Sequence, residues 1–462
     1  MNTNKELPEK NIFKAYDIRG IVGKSLDDNT IIQIGRSIGS EALIQNQKDV
    51  CVGFDGRLSS PHLFSLLTEG LISTGINVIN IGLVTTPMLY FSTYQLNTKS
   101  GIMITGSHNP PEYNGFKIVI NDKTLSSNDI QNLYQRIVKK EYLTGKGKIS
   151  TADIKSSYIK KICSDINLAR PIKIAIDCGN GAASVCAEEL YNGIGAKVES
   201  LFCNVDGNFP NHHPDPSNLT NLIDLQKILL TGNSELGLAF DGDGDRLGVV
   251  TKKGEIIFPD RQLLLFAEDV LKKNPGASII FDVKSTRYLF DWIKDRGGIP
   301  IIWKTGHSLI KSKMKESKSI LAGEMSGHIF FNDRWFGFDD GLYTGARLLE
   351  ILSYFKNPSE ILEALPKGFS TPELSIKLNE GEQHNIIKIL QNEAKFQNAN
   401  EIIKIDGLRV EYDHGFGLMR ASNTTPSIIL RFEANSNENL QLIQKEFKAE
   451  LKNHVPQKSI PF

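Results

Sequence analysis

With 462 residues, the chain exceeds the ~250 to 300 residues at which a single hydrophobic core stops growing, so several domains are expected. Apolar residues make up 40% of the sequence, and its 53 basic side chains balance 53 acidic ones. Because this balance creates no overall positive field, we expect neither nucleic acid nor a membrane as a partner.

The N-terminal residues and the cysteines predict the cellular compartment. MNTNKELPEKNIFKAYDIRG lacks the apolar core of a signal peptide, and no stretch is apolar for long enough to span a bilayer. The five cysteines are scattered without a C-x-x-C pair: Cys51, Cys163, Cys178, Cys186 and Cys203. We therefore expect reduced thiols in a cytoplasmic protein.

Three segments repeat one order of predicted elements. In each, an apolar strand ends in aspartate and is followed by a polar turn, an amphipathic helix, a glycine and a second apolar strand. The segments are VCVGFDGRLSSPHLFSLLTEGLISTGINVINI, IKIAIDCGNGAASVCAEELYNGIGAKVESLF and ASIIFDVKSTRYLFDWIKDRGGIPIIW. This order predicts parallel strands joined by crossover helices, and thus α/β domains with mixed or parallel sheets.

A short apolar run follows each unit, and a polar loop follows the run. GIMI precedes TGSHN, LGLAF precedes DGDGDR, and SILA precedes GEMSGH. Because ligands of open α/β sheets bind beyond the carboxyl ends of strands, these loops are expected to line one cleft. Three unrelated loops are the simpler alternative.

Beyond about residue 368 the pattern changes to that of a small α+β domain. GLRVEY, GFGLMR and PSIILRFEA predict neighbouring antiparallel strands, with the polar loop RASNTTP between the last two. NENLQLIQKEFKAEL predicts a helix that places four apolar residues on one face: Leu440, Ile443, Phe447 and Leu451.

The run DGDGD places Asp241, Asp243 and Asp245 at alternate positions, and its glycines allow the backbone to turn the carboxylates inward. Oxygen ligands favour magnesium. An EF-hand calcium loop is excluded by Arg246 and Lys252 at its sixth and twelfth positions, and a solvated acidic turn is the other alternative.

Ser107 follows the run GIMI, in a loop that we expect to be exposed. Magnesium usually shares its coordination with phosphate, yet the chain has no G-x-x-x-x-G-K-[ST] loop, so the phosphate is expected on the protein. The Ser107 hydroxyl can accept a phosphoryl group and pass it on. A hydrolase nucleophile would need glycine where Thr105 stands, and a plain turn residue remains the alternative.

Two further loops offer polar side chains for a sugar phosphate. Glu324 and Ser326 suit neighbouring sugar hydroxyls. The RASNTTP loop suits a phosphate group through Arg420, Ser422, Asn423 and Thr424, although local hydrogen bonding within a hairpin explains the same residues.

Five motifs in order resemble those of the α-D-phosphohexomutase superfamily, within it the phosphomannomutase/phosphoglucomutase group. They are AYDIRG, TGSHNPPEYNGFK, DGDGDR, KTGHSLIK with GEMSGHIFF, and RASNTTP. The resemblance spans essentially the whole chain. It implies three related α/β domains with mixed sheets and a C-terminal α+β domain around a central cleft.

The predicted domains each carry one loop. Residues 1–153 carry the phosphoserine loop, 154–256 the metal loop, 257–367 the sugar-binding loop and 368–462 the phosphate-binding loop. The resemblance implies a monomeric isomerase that interconverts the 1- and 6-phosphates of mannose and glucose. Phosphoserine 107 would form a bound 1,6-bisphosphate, with Mg²⁺ as cofactor and glucose 1,6-bisphosphate as activator.

The resemblance also implies residue roles. Asp241, Asp243, Asp245 and a phosphoserine oxygen match the magnesium ligands, and Arg246 would neutralise the phosphoryl group. The groups expected around the reacting phosphate and sugar are Arg19, His108, Lys117 and His328. We favour Lys117 as the acid/base, because a desolvated lysine near other cations has a lowered pKa.

Remaining matches carry weaker expectations. Tyr16, Lys284 and His307 match contacts to the sugar phosphate. Phe54 replaces an arginine common in relatives, and its position within a strand favours altered packing over lost chemistry.

Three alternatives to this function stay open. Relatives that act on glucosamine phosphate tend to carry another residue at Met325, so a phosphoglucosamine mutase is the nearest alternative. A non-catalytic sugar-phosphate-binding protein would be expected to have a damaged serine or metal loop, and a phosphatase would pass the phosphoryl group to water.

Overall fold

A computed structural model describes residues 7–379, 381–423, 425–455 and 459–462. The chain divides into two compact units. One comprises residues 1–262 and 326–364, and the other comprises 263–325 and 365–462.

The first unit contains a seven-stranded mixed sheet with the order β1-β5-β4-β2-β3-β7, in which β6 also pairs with β5. Its strands are β1 (Ile18–Ile21), β2 (Asp49–Phe54), β3 (Asn77–Leu83), β4 (Gly101–Ile104), β5 (Tyr113–Ile120), β6 (Lys123–Thr124) and β7 (Ile149–Thr151). Its helices are α1 (Asp28–Ile44), α2 (Ser60–Ile72), α3 (Thr86–Gln95) and α4 (Asn128–Lys139). Strand β4 is buried throughout and ends two residues before Gly106, so the sheet fixes the start of the Ser107 loop.

A second sheet of the same unit has the order β12-β11-β10-β8-β9. Its strands are β8 (Lys173–Asp177), β9 (Lys197–Leu201), β10 (Leu236–Phe240), β11 (Leu247–Thr251) and β12 (Ile256–Ile257). The helices of this part are α5 (Lys155–Asp165), α6 (Ala187–Gly193) and α7 (Ile223–Thr231). Strands β10 and β11 are antiparallel and fully buried, and the DGDGD run forms the turn between them.

The second unit holds parallel strands in the order β14-β13-β15. These are β13 (Ser278–Asp282), β14 (Ile299–Trp303) and β15 (Leu321–Gly323). Helices α9 (Tyr288–Asp295) and α10 (His307–Ser317) belong to this unit, while α8 (Pro259–Lys273) begins before its first residue. Strand β16 (Ile329–Phe331) and helices α11 (Gly341–Leu352) and α12 (Pro358–Glu363) belong to the first unit.

The C-terminal part of the second unit is an antiparallel sheet with the order β17-β22-β21-β20-β19, with β18 also paired to β22. Its elements are β17 (Phe369–Ser370), β18 (Leu374–Lys377), α13 (Glu382–Glu393), β19 (Glu401–Ile403), β20 (Leu408–Tyr412), β21 (Gly415–Ala421), β22 (Ser427–Ala434) and α14 (Asn437–His454). The predicted apolar face of α14 is confirmed, since its four predicted residues are all buried: Leu440, Ile443, Phe447 and Leu451.

The repeated strand–helix–strand order predicted from the sequence is confirmed in all three places. β2 pairs with β3, β8 with β9, and β13 with β14, each in parallel. The α/β and α+β character predicted for the chain is therefore present. Phe54 lies 5.7 Å from the ring of Phe64 and packs against the core of the first sheet, as expected for altered packing.

Two further observations concern the helices and the cysteines. None of the helices within the described residues combines the length and the apolar character that a bilayer span requires. All five cysteines are free, as predicted.

Candidate active site

The loop that carries Ser107 is exposed at residues 110–112, as predicted, but Ser107 itself is buried, with 2% of its surface exposed. Its backbone lies in the left-handed region at φ 49°, which is uncommon for a residue other than glycine. The Ser107 amide donates to Thr105 Oγ1 at 2.7 Å, and this bond closes the turn. A strained serine whose hydroxyl is withdrawn from bulk water is typical of a functional position.

Arg57 holds the Ser107 loop in place through hydrogen bonds to its backbone. Its Nη2 donates to the carbonyls of Ser107 at 2.8 Å and Asn109 at 2.5 Å, and its Nη1 donates to those of Pro110 at 2.6 Å and Tyr113 at 3.0 Å. Asp55 fixes the guanidinium from the other side at 3.2 Å and also accepts from the Gly106 amide. Arg57 therefore donates hydrogen bonds to four backbone carbonyls of one loop and fixes their relative positions.

The metal loop meets the Ser107 loop directly. Ser107 Oγ donates to Asp241 Oδ2 at 3.1 Å, and the other oxygen of Asp241 accepts from the amides of Asp245 and Arg246. Asp243 accepts from Thr86 Oγ1 at 2.5 Å, which ties the loop to the first turn of α3. The sequence-predicted serine and carboxylates are thus in contact, although 134 residues separate Ser107 from Asp241.

These carboxylates fit a hard divalent cation. Asp241, Asp243 and Asp245 are fully buried, and one oxygen of each lies within 4.8 Å of the others. Asp243 Oδ1 and Asp245 Oδ1 have no hydrogen-bond partner among the described residues. Buried carboxylate oxygens in this state, with no nitrogen or sulfur ligand among the three, suit an ion such as magnesium.

Lys117 lies against two of the three carboxylates. Its Nζ is 2.7 Å from Asp243 Oδ2 and 2.5 Å from Asp245 Oδ2. Burial lowers the pKa of Lys117, but the attraction of Asp243 and Asp245 outweighs it and raises the pKa well above its usual value. The expectation of a lowered lysine pKa is therefore wrong, because carboxylates and not cations surround the ammonium group.

The pKa values of Asp241 and Asp243 are shifted in opposite directions. Burial raises the pKa of Asp241 well above its ordinary value, and the charges of Asp245 and Asp243 raise it further. Burial acts in the same direction on Asp243, but Lys117 outweighs it and holds the Asp243 pKa below the usual range. The loop thus concentrates negative charge that Lys117 and Arg246 compensate only in part.

His108 lies beside the serine, with Nδ1 3.3 Å from Ser107 Oγ. Its pKa is well below the ordinary value because the ring is desolvated and the charges of Arg246 and Arg19 oppose protonation. His108 is therefore neutral at neutral pH and able to accept a proton. Arg19 reaches the same loop by donating to Asn109 Oδ1 at 2.5 Å, and Asp17 holds its other side.

His328 connects the metal loop to a carboxylate that the sequence analysis missed. Arg246 Nε donates to His328 Nε2 at 3.1 Å, so the ring proton is on Nδ1. That nitrogen lies 2.9 Å from Asp339 Oδ2 and 3.6 Å from Asp245 Oδ1. The Asp339 carboxylate therefore lies close to the Nδ1 side of the His328 ring.

A second missed segment, the turn-rich stretch NHHPDPSN, supports both loops. His213 contacts the His108 carbonyl through Nε2, and the Gly242 amide donates to the Pro214 carbonyl at 3.1 Å. Nε2 of the neighbouring His212 lies 3.0 Å from Asp177 Oδ2. The density of Asn, His, Pro and Asp in this stretch, like the arginine in FDGR, is the sequence signal that would have revealed these supports.

The second unit gathers several of the remaining predicted residues. Glu324 accepts from the Gly306 amide at 2.5 Å, one residue before His307 opens α10. Asp406 Oδ2 accepts hydrogen bonds from the Thr305 amide and from Arg420 Nε, each at 3.0 Å. This network brings the Glu324 and Arg420 loops to the same end of the β14-β13-β15 strands.

Lys284 belongs to the same cluster. Its Nζ is 3.0 Å from Glu373, and Arg420 is among the charges that act on it. Burial lowers the Lys284 pKa, but Glu373 and Asp282 outweigh it and raise the pKa. The Lys284–Glu373 ion pair keeps a nearly buried ammonium group charged, so that it can bind an anionic ligand.

Five further predicted residues contribute less to the description of the site. Ser422 accepts from Thr425 Oγ1 at 3.0 Å, as the alternative of local hairpin bonding predicts, and Asn423 is half-buried beside it. Thr424 lies outside the described residues. Tyr16 and Ser326 are half-buried in the first unit, on the segments that precede Arg19 and His328.

Comparisons with known proteins match the chain domain by domain. The α/β/α domains I, II and III of phosphoglucomutase/phosphomannomutase match residues 10–144, 156–254 and 258–369, and the C-terminal domain of that family matches 373–450.

Individual relatives are similar over nearly their full length. The chain is 56% identical to a phosphoglucomutase of Neisseria gonorrhoeae over 95% of its own residues and 96% of that protein. It is 53% identical to a phosphomannomutase/phosphoglucomutase of Pseudomonas aeruginosa, with 98% and 97% covered. A crystal structure of a phosphoglucomutase/phosphomannomutase family protein from Burkholderia thailandensis shares 50% identity and a TM-score of 0.94, covering 99% of this chain and 100% of that one. With all four domains matched in order and more than half of the residues shared with such relatives, the chain belongs to the phosphoglucomutase/phosphomannomutase family.

Proposed function

We propose that this protein is a mutase that interconverts the 1-phosphates and 6-phosphates of mannose and glucose. The observation that carries the proposal is the buried contact of 3.1 Å between Ser107 Oγ and Asp241 Oδ2, which places a nucleophilic hydroxyl beside three carboxylates. The named activities of the relatives from Neisseria gonorrhoeae and Pseudomonas aeruginosa support the same reaction.

Ser107 is proposed to carry the transferred phosphoryl group in the active form of the protein. Asp241, Asp243 and Asp245, together with an oxygen of that group, would hold a magnesium ion, which supplies positive charge beside the phosphoryl group when bound. Arg246 and Lys117 add two fixed cations at the same place. Phosphoryl transfer depends mainly on such positioning and charge stabilisation.

The first transfer forms a bisphosphate. A free hydroxyl of the hexose phosphate attacks phosphorus and loses its proton, while the bond between phosphorus and Ser107 Oγ breaks. The released Ser107 oxygen takes up a proton. In the second transfer, Ser107 attacks the other phosphate of the hexose 1,6-bisphosphate, its proton passes to a base, and the second hydroxyl of the sugar is restored.

We assign the base for Ser107 to His108. The distance of 3.3 Å between its Nδ1 and the hydroxyl supports this assignment. The lowered pKa leaves the ring neutral, although it also makes the imidazole a weaker base. Lys117, which stays protonated between two carboxylates, acts in this state as a fixed cation. His328, close to Asp339, is assigned to the proton of the substrate hydroxyl.

Substrate recognition is assigned to the remaining predicted residues. Between the two transfers the bisphosphate is proposed to turn over without leaving the protein. Glu324 and Ser326 are proposed to bind ring hydroxyls in either orientation. The distal phosphate is assigned to Tyr16, Lys284, His307, Arg420, Ser422, Asn423 and Thr424. Arg420 and Lys284 are the charged members of this set and would dominate the binding of a phosphate dianion.

A coupled assay tests the reaction and the substrate together. Mannose 1-phosphate, glucose 1-phosphate and glucosamine 1-phosphate are supplied in parallel with magnesium and a trace of glucose 1,6-bisphosphate as activator, and each 6-phosphate is measured. We expect turnover of the first two and little of the third. Omitting the bisphosphate should leave a slow onset of turnover, because unphosphorylated Ser107 must first acquire its phosphoryl group.

Other outcomes identify the alternatives. A preference for glucosamine 1-phosphate would keep the mechanism and replace the substrate. Inorganic phosphate as the main product would indicate a phosphatase, and absence of turnover with all three sugars would favour a sugar-phosphate-binding protein.

A further inference from the structure

Two of the five cysteines lie side by side in the sheet that carries the metal loop. β8 and β9 are parallel neighbours with Asp177 opposite Leu201, and Cys178 and Cys203 follow these strands. Their Sγ atoms are 3.2 Å apart. The other three cysteines contact oxygen atoms instead: Cys51 contacts Thr98 Oγ1, Cys163 the Leu190 carbonyl and Cys186 the Ala183 carbonyl.

The backbone is strained where it brings the two thiols together. Phe202, directly before Cys203, has φ 49°, a left-handed conformation that a bulky aromatic residue rarely adopts. Asn180, also left-handed at φ 59°, holds it there: its amide donates to the Phe202 carbonyl and its side chain to the Asn204 carbonyl, both at 2.8 Å. Strain maintained by neighbouring contacts is a reason to look for a function at this place.

The two thiols differ in access and in acidity. Cys203 is half-buried, whereas Cys178 is fully buried. The contact with Cys178 lowers the pKa of Cys203, while the same contact and burial raise the pKa of Cys178. An accessible thiol beside a protected one is the arrangement in which the first meets an oxidant and the second resolves the product.

The pair is connected to both loops of the candidate active site. On the Cys178 side, the Gly181 amide donates to the Cys178 carbonyl at 2.8 Å, and the Ala182 amide donates to the carbonyl of Gly242 in the metal loop at 2.9 Å. On the Cys203 side, the chain continues to Phe209, whose ring lies 5.3 Å from the Arg57 guanidinium. Arg57 in turn holds the Ser107 loop.

We propose that Cys178 and Cys203 form a reversible oxidative modification site, in which a peroxide converts the two thiols to a disulfide and thereby displaces the metal loop. The Cys203 thiolate attacks one peroxide oxygen, the O–O bond breaks, and Cys203 becomes a sulfenic acid. The Cys178 thiol then attacks the Cys203 sulfur, the S–O bond breaks, and water leaves. Two thiols and one hydrogen peroxide thus give one disulfide and two waters.

Disulfide formation must shorten the distance between the sulfur atoms from 3.2 Å to about 2.05 Å. Because residues 178–182 form a tight turn hydrogen-bonded to Gly242, we expect this movement to shift the carboxylates of the metal loop. A dithiol reductant reverses the change by thiol–disulfide exchange. The modification itself does not depend on the proposed mutase function, whereas its effect on turnover does.

The test treats the whole protein with hydrogen peroxide, blocks the remaining thiols by alkylation and analyses tryptic peptides by mass spectrometry. Cys178 lies in peptide 174–197, which also contains Cys186, and Cys203 lies in peptide 198–227, so fragment ions must locate the bond. We expect a cross-link from Cys178 to Cys203. Mutase turnover should fall by roughly fivefold or more and recover with dithiothreitol.

Two variants distinguish oxidation of the Cys178–Cys203 pair from oxidation elsewhere in the protein. Cys203→Ser removes the pair with little change in side-chain size, and it should turn over normally when reduced and resist peroxide. Cys163→Ser, at another half-buried cysteine of the same unit, should remain as sensitive as the unchanged protein.

The proposal is overturned by any of three results. The first is that peroxide treatment gives no Cys178–Cys203 link. The second is that the link forms completely while turnover stays unchanged. The third is that peroxide inactivates Cys203→Ser as strongly as the unchanged protein. A protein that forms the link but never turns over hexose phosphates would instead point to failure of the proposed function, because the mass measurement does not require activity.

Discussion

Arg57 shows how one buried side chain decides the geometry of a reacting group. Only 1% of its surface is exposed, and burial lowers its pKa, although Asp55 opposes that effect. Its five hydrogen bonds go to Asp55 and to four carbonyls of the Ser107 loop. The left-handed conformation of Ser107 is thus maintained by a residue that need not touch the substrate.

Arg57→Lys should therefore slow turnover by roughly 10- to 100-fold while changing KM much less, since displacement of a reacting atom by about 1 Å has effects of this size. A lysine ammonium has three donors and cannot reproduce the planar arrangement of five. Steady-state kinetics of the mutase assay measure the two parameters separately. Arg136→Lys is the matched control, because Arg136 of α4 forms an ion pair with Glu41 of α1. This variant should leave kcat unchanged. An equal response of both variants would mean that Arg57 is a structural residue only.

Ser107→Ala should reduce mutase turnover by roughly 10³-fold or more and should abolish incorporation of a phosphoryl group into the protein. Intact-mass measurement after incubation with glucose 1,6-bisphosphate detects this group independently of turnover. Ser65→Ala, at an exposed serine of α2, is the control and should retain both properties. Phosphoryl incorporation into the Ser107→Ala protein would place the acceptor at another residue.

At the scale of elements, helix α11 begins at a carboxylate that also joins other parts of the first unit. Asp340 accepts from the Tyr343 amide at 2.9 Å as the helix cap, and Tyr158 on α5 donates to both of its oxygens at 2.8 Å. Burial raises the pKa of Asp340 to about 7, despite the hydrogen bonds from Tyr343 and Tyr158. The cap thus combines a favourable helix start with an unfavourable buried charge.

The sign of the resulting pH dependence follows from the raised pKa. Folded Asp340 keeps its proton up to a pH of about 7, whereas the unfolded chain loses it near ~4. Between these values the folded state binds more protons, so the contribution of Asp340 to stability falls as the pH rises. We expect the free energy of unfolding of the unchanged protein, relative to Asp340→Asn, to decrease from pH 5 to pH 8.

Denaturant unfolding of both proteins at several pH values measures this difference. Tyr158→Phe serves as a second variant, because it removes a hydrogen bond that lowers the Asp340 pKa and should move the transition to higher pH. A difference between unchanged protein and Asp340→Asn that is constant with pH would contradict a buried carboxyl that titrates in this range.

At the scale of the whole molecule, ligand binding and stability are linked. Repulsion among Asp241, Asp243 and Asp245 is compensated by Lys117 and Arg246 only in part, so a cation that binds the folded loop lowers the free energy of the folded state. Saturation at about 100 times the dissociation constant contributes about 2.7 kcal/mol. The effect needs no substrate and is therefore independent of turnover.

Magnesium should accordingly raise the thermal midpoint of the unchanged protein, and the rise should shrink strongly in Asp243→Asn. Calorimetric scans with and without chelator measure both. Asp122→Asn, at an exposed turn of the first sheet, should respond like the unchanged protein. A magnesium effect of equal size in Asp243→Asn would exclude the DGDGD loop as the binding site.

The sequence by itself determined the elements and the chemistry of the loops. Strand periodicity placed β4 and β10 directly before TGSHN and DGDGDR, and spacing placed the apolar face of α14, because alternation and helical spacing are local properties of the chain. The choice of Ser107 and the three aspartates likewise followed from residue types that only certain reactions require.

Tertiary structure alone decided the burial of Ser107, the charge state of Lys117, the position of Asp339 and the supporting roles of Arg57 and the NHHPDPSN turn. Each depends on partners far away in the chain: Lys117 meets Asp243 across 126 residues, and Arg57 meets the Ser107 carbonyl across 50. Burial and charge are sums over all neighbours in space, and a linear pattern does not specify which distant groups supply them.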